Sequence, residues 1–281
     1  MEVACMAHPS CPPVFIHGIL QRSGTNFLQA LLAQHPQFVP LSPIYENYLL
    51  HFSSLLEDYT SSLYSEWERL GFDVTSWHRQ LLHKNIGDGL VRALVESREL
   101  LEPQLLPDAR LLCTTPSVTE LDRFFDLWPC SRLIILVRDG RDLAESSARS
   151  FDEPVDSAID RWVRAADIVV DFDIRHADRR GRDYLIVRYE DLCTRLEPEL
   201  RRLFSFLSVD ADHYDYAAAG NTPVIGSSSF RGGGTELSWD PVAKDQTFNP
   251  LERSAHWSEY MLGRFNAQGA KYLEYFGYPA R

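Results

Sequence analysis

A chain of 281 residues, 44% hydrophobic and 24% charged, is long enough to bury a full core without disulfides or a structural metal, which excludes disordered, fibrous and disulfide-stapled classes. Its 40 acidic residues against 28 basic ones give a net charge of -12, so it lacks the broad basic face of a general nucleic-acid binder. A local basic pocket for one small anion is still compatible with that balance.

Residues 1–13, MEVACMAHPSCPP, place no Lys or Arg before an apolar core, and no run approaches the ~18 apolar residues of a membrane span. Neither a signal peptide nor a span is therefore predicted. The five cysteines, Cys5, Cys11, Cys113, Cys130 and Cys193, are scattered and form no CxxC pair. No zinc site or secreted disulfide framework is expected from them, and the predicted compartment is a reducing cytoplasm.

The first element is the apolar run at 14–17, followed by a Gly, Ser and Thr loop and a helical pattern over 26–34. Residues 45–106 have Leu, Trp and Tyr spacings that fit two or three helices, expected to cap the sheet. A weaker strand is predicted at 110–114 and a stronger one at 133–137, with a helix over 141–150. The last strand spans 184–187 and leads to a helix over 198–207, with Pro198 at the first helical position that proline favours. Residues 220–250 read as an irregular loop with Ser227-Ser228-Ser229 and Gly232-Gly233-Gly234, and loops this long in a compact domain are usually functional. An amphipathic helix through Trp257, Met261, Phe265 and Tyr272 closes the chain. Apolar runs without alternation suit strands buried on both faces, so the predicted class is α/β with a central parallel sheet flanked by helices.

The segment from Phe15 to Asn26 puts a strand, a loop and a helix in succession, an arrangement that aims backbone N–H groups and a helix N-terminus at one point. Five residues separate Gly18 from Gly24, and no Lys precedes Thr25, so this is not GxxxxGK[ST]. The missing Lys disfavours a kinase or ATPase, and Arg22 suggests a different charge placement around the anion. Further along, Arg138 stands at the carboxyl end of a buried strand, where open α/β sheets place their ligands. Ser146, Arg149 and Ser150 follow at i, i+3 and i+4 on one helix face, able with Arg138 to fork a phosphate. The competing reading is a solvated, salt-bridged surface helix with Arg141, Asp142 and Glu145 in water.

These segments resemble the sulfotransferases that use 3′-phosphoadenosine 5′-phosphosulfate (PAPS), in particular bacterial and protein-tyrosine sulfotransferases. Arg22-Ser23-Gly24-Thr25-Asn26 is similar to the family's RSGTT phosphosulfate loop, with Asn26 in place of the second Thr. Arg138 and Ser146, eight residues apart, resemble its 3′-phosphate motif, and Arg188-Tyr189-Glu190-Asp191-Leu192 resembles its RYEDL turn. The resemblance implies a P-loop-like domain over 1–281, with a phosphosulfate unit at 14–44, a helical substrate cap at 45–106, a 3′-phosphate unit at 107–210, a cofactor-closing loop at 220–250 and a C-terminal helix at 251–281. It implies PAPS as donor, contacted by Arg22, Ser23, Gly24, Thr25, Asn26, Arg138, Ser146 and Arg149, and by Ser229, Arg231 and Gly232 from the closing loop. Tyr189, Glu190 and Asp191 could equally serve to end a strand and set a turn.

The implied reaction is in-line transfer of a sulfuryl group to an acceptor hydroxyl with release of 3′,5′-ADP, which needs positioning and charge stabilisation and no metal. Arg22 would neutralise charge on the bridging oxygen, while Thr25 and Asn26 hold the 5′-phosphate. Glu46 is the first candidate for the base, with His17, His51 and His83 as rivals; a lone His in a strand is also a common structural residue. Many relatives carry Lys-Thr-Pro where this chain has Thr114-Thr115-Pro116, so the cation at Thr114 is gone. Arg22 alone, Lys84 or Lys244 would replace it, or the protein is slow or inactive. The alternatives are a small-molecule kinase with a degenerate P-loop and a nucleotide-binding protein without catalysis. The acceptor is a small-molecule, lipid, sugar or peptide hydroxyl, and the sequence assigns no oligomeric state.

Overall fold

The computed structural model describes residues 12–40, 44, 46–101, 109–223, 225, 243 and 249–279. Five strands, β1 (Val14–Gly18), β2 (Phe38–Pro40), β3 (Arg110–Thr115), β4 (Arg132–Val137) and β5 (Tyr184–Arg188), form one sheet in the order β2-β3-β1-β4-β5. Every neighbouring pair is parallel. The apolar runs have nowhere to go but inside: β1 is buried along its whole length, and Leu133 to Val137 of β4 are all buried.

Side-chain alternation divides the core between the two faces of the sheet. Phe15, Leu133, Ile135 and Val137 pack on one side with Trp128, Trp162, Phe172 and Phe265. Val14, Ile16, Ile134 and Leu136 pack on the other with Leu28, Leu31, Leu200 and Phe204. The helices are α1 (Thr25–Leu32), α2 (Ser53–Arg69), α3 (Ser76–Leu101), α4 (Phe124–Leu127), α5 (Gly140–Phe151), α6 (Val155–Arg175), α7 (Tyr189–Thr194), α8 (Leu196–Leu207), α9 (Tyr216–Gly220) and α10 (Glu259–Tyr275). The chain runs from β1 to β2 and β3 on one side of β1, then crosses to β4 and β5 on the other. The crevice at the carboxyl ends of β1 and β4 is thus the topological switch point, the place where open α/β sheets bind ligands.

Several elements differ from the sequence expectation. β2 and α6 were not anticipated, α8 begins two residues before Pro198, and Trp257 precedes α10 because the Ser258 side chain accepts from Met261 N–H and caps the helix there. Cys130 is disulfide-bonded, which departs from the expectation that no disulfide forms, whereas Cys113 and Cys193 are not in disulfides. Ser229, Arg231, Gly232 and Lys244 lie outside the described residues.

Candidate functional site at the switch point

The loop after β1 is folded tightly back on the strand end. A Cβ on Gly18 would lie 2.2 Å from Ser23 Oγ and 2.6 Å from Thr25 Cγ2, so no larger residue fits while the loop keeps this path. Arg22 has φ 74° and Gly24 φ 99°, and a Cβ on Gly24 would lie 2.4 Å from the Tyr189 ring. A left-handed Arg is a strained choice that tends to persist where a site requires it. α1 then starts at Thr25 with no side-chain cap, which leaves the positive end of its dipole facing the loop. Ser23 is fully buried, and its Oγ has no hydrogen-bond partner.

α5 supplies the second wall. Asp139 accepts from Arg141 N–H and grips the Arg141 guanidinium at 2.9 and 2.6 Å, while Arg141 Nη2 also donates to the Pro279 carbonyl. Glu190 accepts from Asp139 N–H at 3.0 Å and from Tyr278 OH at 2.8 Å. The surface-helix alternative is therefore overturned: Arg141, Asp142 and Glu145 are all buried, and each also bonds a distant partner, Pro279, Ser254 and Trp257 respectively. This bracket fixes Arg138, which is 5% exposed and stacks its guanidinium 4.7 Å from the Tyr189 ring centroid. Arg138 donates to the Arg22 carbonyl at 2.8 Å and the Pro250 carbonyl at 2.6 Å, and its Nε has no partner.

The two walls meet: Arg22 Nε donates to Ser146 Oγ at 3.4 Å. Ser146 is buried, as is Ser150 one turn on, whose Oγ has no partner. Arg149 stands at the rim with its side chain 56% exposed and pairs with Glu145. The structure thus joins Arg22, Ser23, Gly24, Thr25, Asn26, Arg138 and Ser146 in one crevice, with Arg149 at its edge. Arg138, Ser23 and Ser150 hold buried polar atoms without protein partners, the arrangement expected of a cradle for an oxyanion ligand.

The candidate base reaches this crevice through the segment at 46–51. Asn47 N–H donates to the Thr114 carbonyl, and Thr115 Oγ1 donates to Asn47 Oδ1, which docks the segment on the end of β3. Tyr48 OH donates to Glu46 Oε2 at 3.3 Å and also meets Gln21 of the loop. Burial raises the Glu46 pKa, an effect that the hydrogen bond from Tyr48 partly opposes.

The rival bases are engaged elsewhere. His17 is 1% exposed with Nδ1 2.9 Å from the Ser117 carbonyl oxygen, and burial lowers its pKa to about 4. His51 Nδ1 is 3.1 Å from Ser117 Oγ, and His83 lies against Thr60 and Glu57 of α2. Lys84 is buried in an ion pair with Asp88 at 2.7 Å, and Thr114 is fully buried with its Oγ1 unpartnered. Among the described residues, no group of three His, Cys, Asp or Glu could hold a metal ion, and no helix is long and apolar enough to cross a membrane.

The sequence reading missed the second layer around the crevice. Gln21 and Tyr48 connect the loop to Glu46, and Asp142 accepts from Ser254 N–H and Oγ at 3.0 and 2.7 Å. Glu145 accepts from Trp257 Nε1 at 2.8 Å. The last two pairs are each 112 residues apart in sequence, and only the fold brings them together.

Comparison with known proteins agrees with this geometry. The model of a family described as the Sulfotransferase family matches residues 12–213. No curated protein sequence matches the chain. Among solved structures, the sulfotransferase domain of the Synechococcus PCC 7002 olefin synthase is 20% identical with a TM-score of 0.52, covering 98% of each chain. A sulfotransferase from Mycobacterium avium is 13% identical with a TM-score of 0.52, over 97% of this chain and 78% of that one. A mouse sulfotransferase complexed with PAP is 13% identical with a TM-score of 0.50, over 95% of this chain and 86% of that one. At these identities the likeness is one of fold.

Proposed function

Since the chain belongs to the sulfotransferase family, whose chemistry is sulfuryl transfer, we propose that it takes the sulfuryl group from PAPS and delivers it to a hydroxyl acceptor, releasing 3′,5′-ADP. The observation that carries this reading is the meeting of Arg22 with Ser146 beside Arg138, at the carboxyl ends of β1 and β4, with buried donors that the protein itself leaves unpaired. A donor with anionic groups at both ends of its ribose suits two walls of this kind. The kinase alternative lacks the P-loop Lys and has no support from the family match.

The loop N–H groups, Ser23, Thr25 and Asn26 would hold the 5′-phosphate, with the α1 dipole favouring its charge. Arg138, Ser146 and Arg149 would hold the 3′-phosphate. The acceptor oxygen forms its bond to sulfur as the bond from sulfur to the phosphate oxygen breaks, and the acceptor proton passes to the Glu46 carboxylate. Arg22 would stabilise the negative charge that grows on the departing oxygen. Glu46 is the better placed of the candidate bases, because it is half-buried beside the loop and its raised pKa is nearer the working pH. His17, walled into β1, would act on the site only by holding the Ser117 backbone. α2 and α3 would form the cap over the acceptor.

Incubation with labelled PAPS and a panel of small-molecule, lipid, sugar and tyrosyl-peptide alcohols tests the proposal. Labelled product and stoichiometric 3′,5′-ADP are expected, reduced at least 1000-fold in Arg22→Ala if this cation supplies on the order of 4 kcal/mol of transition-state stabilisation. A protein that binds 3′,5′-ADP but transfers to no acceptor, and does not hydrolyse PAPS, would instead be a non-catalytic binder.

A further inference from the structure

A fourth arginine lies within electrostatic reach of Arg138 and Arg149, in a part of the chain that neither motif includes. Arg253 lies in the segment at 249–257, immediately before α10. That segment is strapped to α5 at two points: Ser254 through its N–H and Oγ to Asp142, and Trp257 through its indole N–H to Glu145. A third tie joins it to the end of β4, since the Pro250 carbonyl accepts from Arg138. Asp142 and Ser146 are one turn apart on α5, so the strap holds Arg253 one residue from the contact that abuts the Ser146 and Ser150 face.

The charge arrangement there is unfavourable as it stands. Arg253 is half-buried and its Nε has no hydrogen-bond partner. Burial and the charges of Arg138 and Arg149 disfavour its positive charge, which Tyr189 and Asp142 partly offset. Arg138 itself bonds only neutral carbonyl oxygens. The nearby carboxylates are committed elsewhere: Asp142 to Ser254, Glu145 to Arg149 and Trp257, Asp139 to Arg141, and Glu190 to Tyr278 and the Asp139 N–H. Guanidinium groups do not lose their protons, and those gathered here are only partly balanced by Asp142 and Glu145, so a ligand anion entering among them would be favoured.

Resting on the donor reading above, we propose that Arg253 is a donor-binding residue, delivered by the strap to close on the phosphate held by Arg138 and Ser146. The ligand it selects is a nucleotide carrying a doubly charged phosphate on the ribose in addition to its 5′ group. The two acids of α5 hold the strap and leave the guanidinium free for the anion.

Calorimetric titration of the full chain with 3′,5′-ADP and with 5′-AMP, for the wild type, Arg253→Ala, Arg253→Lys and Asp142→Asn, tests this. Arg253→Ala is expected to weaken 3′,5′-ADP binding roughly 10- to 100-fold, the range of a charge-assisted hydrogen bond, while leaving 5′-AMP within about twofold. Arg253→Lys should recover part of the loss, and Asp142→Asn should show the same selective loss in milder form. An Arg253→Ala protein that binds 3′,5′-ADP like the wild type overturns the inference alone. So does an equal loss for both nucleotides, which would mark a merely structural role. A wild type that binds neither nucleotide overturns the donor reading and this inference with it.

Discussion

His17 and Glu46 are both shifted by burial, in opposite directions and with opposite consequences. In the unfolded chain His17 titrates near 6.5, and in the fold its pKa is about 4. Between these values the unfolded chain binds a proton that the folded chain refuses, so stability is fully present above pH 6.5 and is lost as the pH falls toward 4. The loss amounts to about 3 kcal/mol. Denaturant unfolding at pH 7.5 and 4.5 should show it in the wild type and show it much reduced in His17→Asn. For Glu46 the raised pKa bears on activity: the carboxylate proposed to take the acceptor's proton disappears as the pH falls through a value above the ordinary 4.5. A kcat/KM profile should therefore have an acidic limb that vanishes in Glu46→Gln, along with most of the turnover. A limb unchanged in that variant would reassign the base.

At the level of elements, the loop between β1 and α1 and the helix α5 were the most legible parts of the chain. Their residues are local: Gly18, Arg22 and Gly24 lie within seven positions, and Arg138 and Ser146 within one strand end and two helical turns. β1 and β4 could be read because full burial demands unbroken apolar runs, and β5, although at the sheet edge, carries a similar run at 184–187. β2 could not, since Phe38–Pro40 is three residues long and shows no pattern of its own. α6 had a readable signal in Ala158, Ile159, Trp162, Ala165, Ala166, Val169 and Phe172, all buried at helical spacing. The strap at 249–257 had none, because its role comes from single hydrogen bonds to a distant helix. The loop geometry also carries a prediction. Gly24→Ala must place a side chain at φ 99° and against the Tyr189 ring, whereas Gly71→Ala, at φ 84°, meets nothing within 4 Å. Thermal unfolding should show a loss of about 1 kcal/mol for Gly71→Ala and about 2 to 4 kcal/mol for Gly24→Ala. Equal losses would mean that Tyr189 yields freely and does not define the loop.

For the molecule as a whole, the sheet order places the two walls of the crevice on adjacent strands, and the chain beyond residue 249 is tied to one of them. The formal charge of -12 is spread over the whole chain, yet Arg22, Arg138, Arg149 and Arg253 converge at the crevice. A protein repelling polyanions in general can thus still draw one small anion to that point. The acceptor side was less legible, because the periodicity of α2 and α3, the proposed cap, does not encode the shape beneath them. The central claim is that the crevice is built for a nucleotide phosphorylated at both ends of its ribose. Thermal unfolding of the wild type with 3′,5′-ADP or Mg-ATP, each at about 100 times its dissociation constant for a true ligand, tests it most directly, since linkage then gives roughly 2.7 kcal/mol of stabilisation. Stabilisation by 3′,5′-ADP alone, lost in Arg138→Ala, is the predicted result. Stabilisation by Mg-ATP alone would contradict the account.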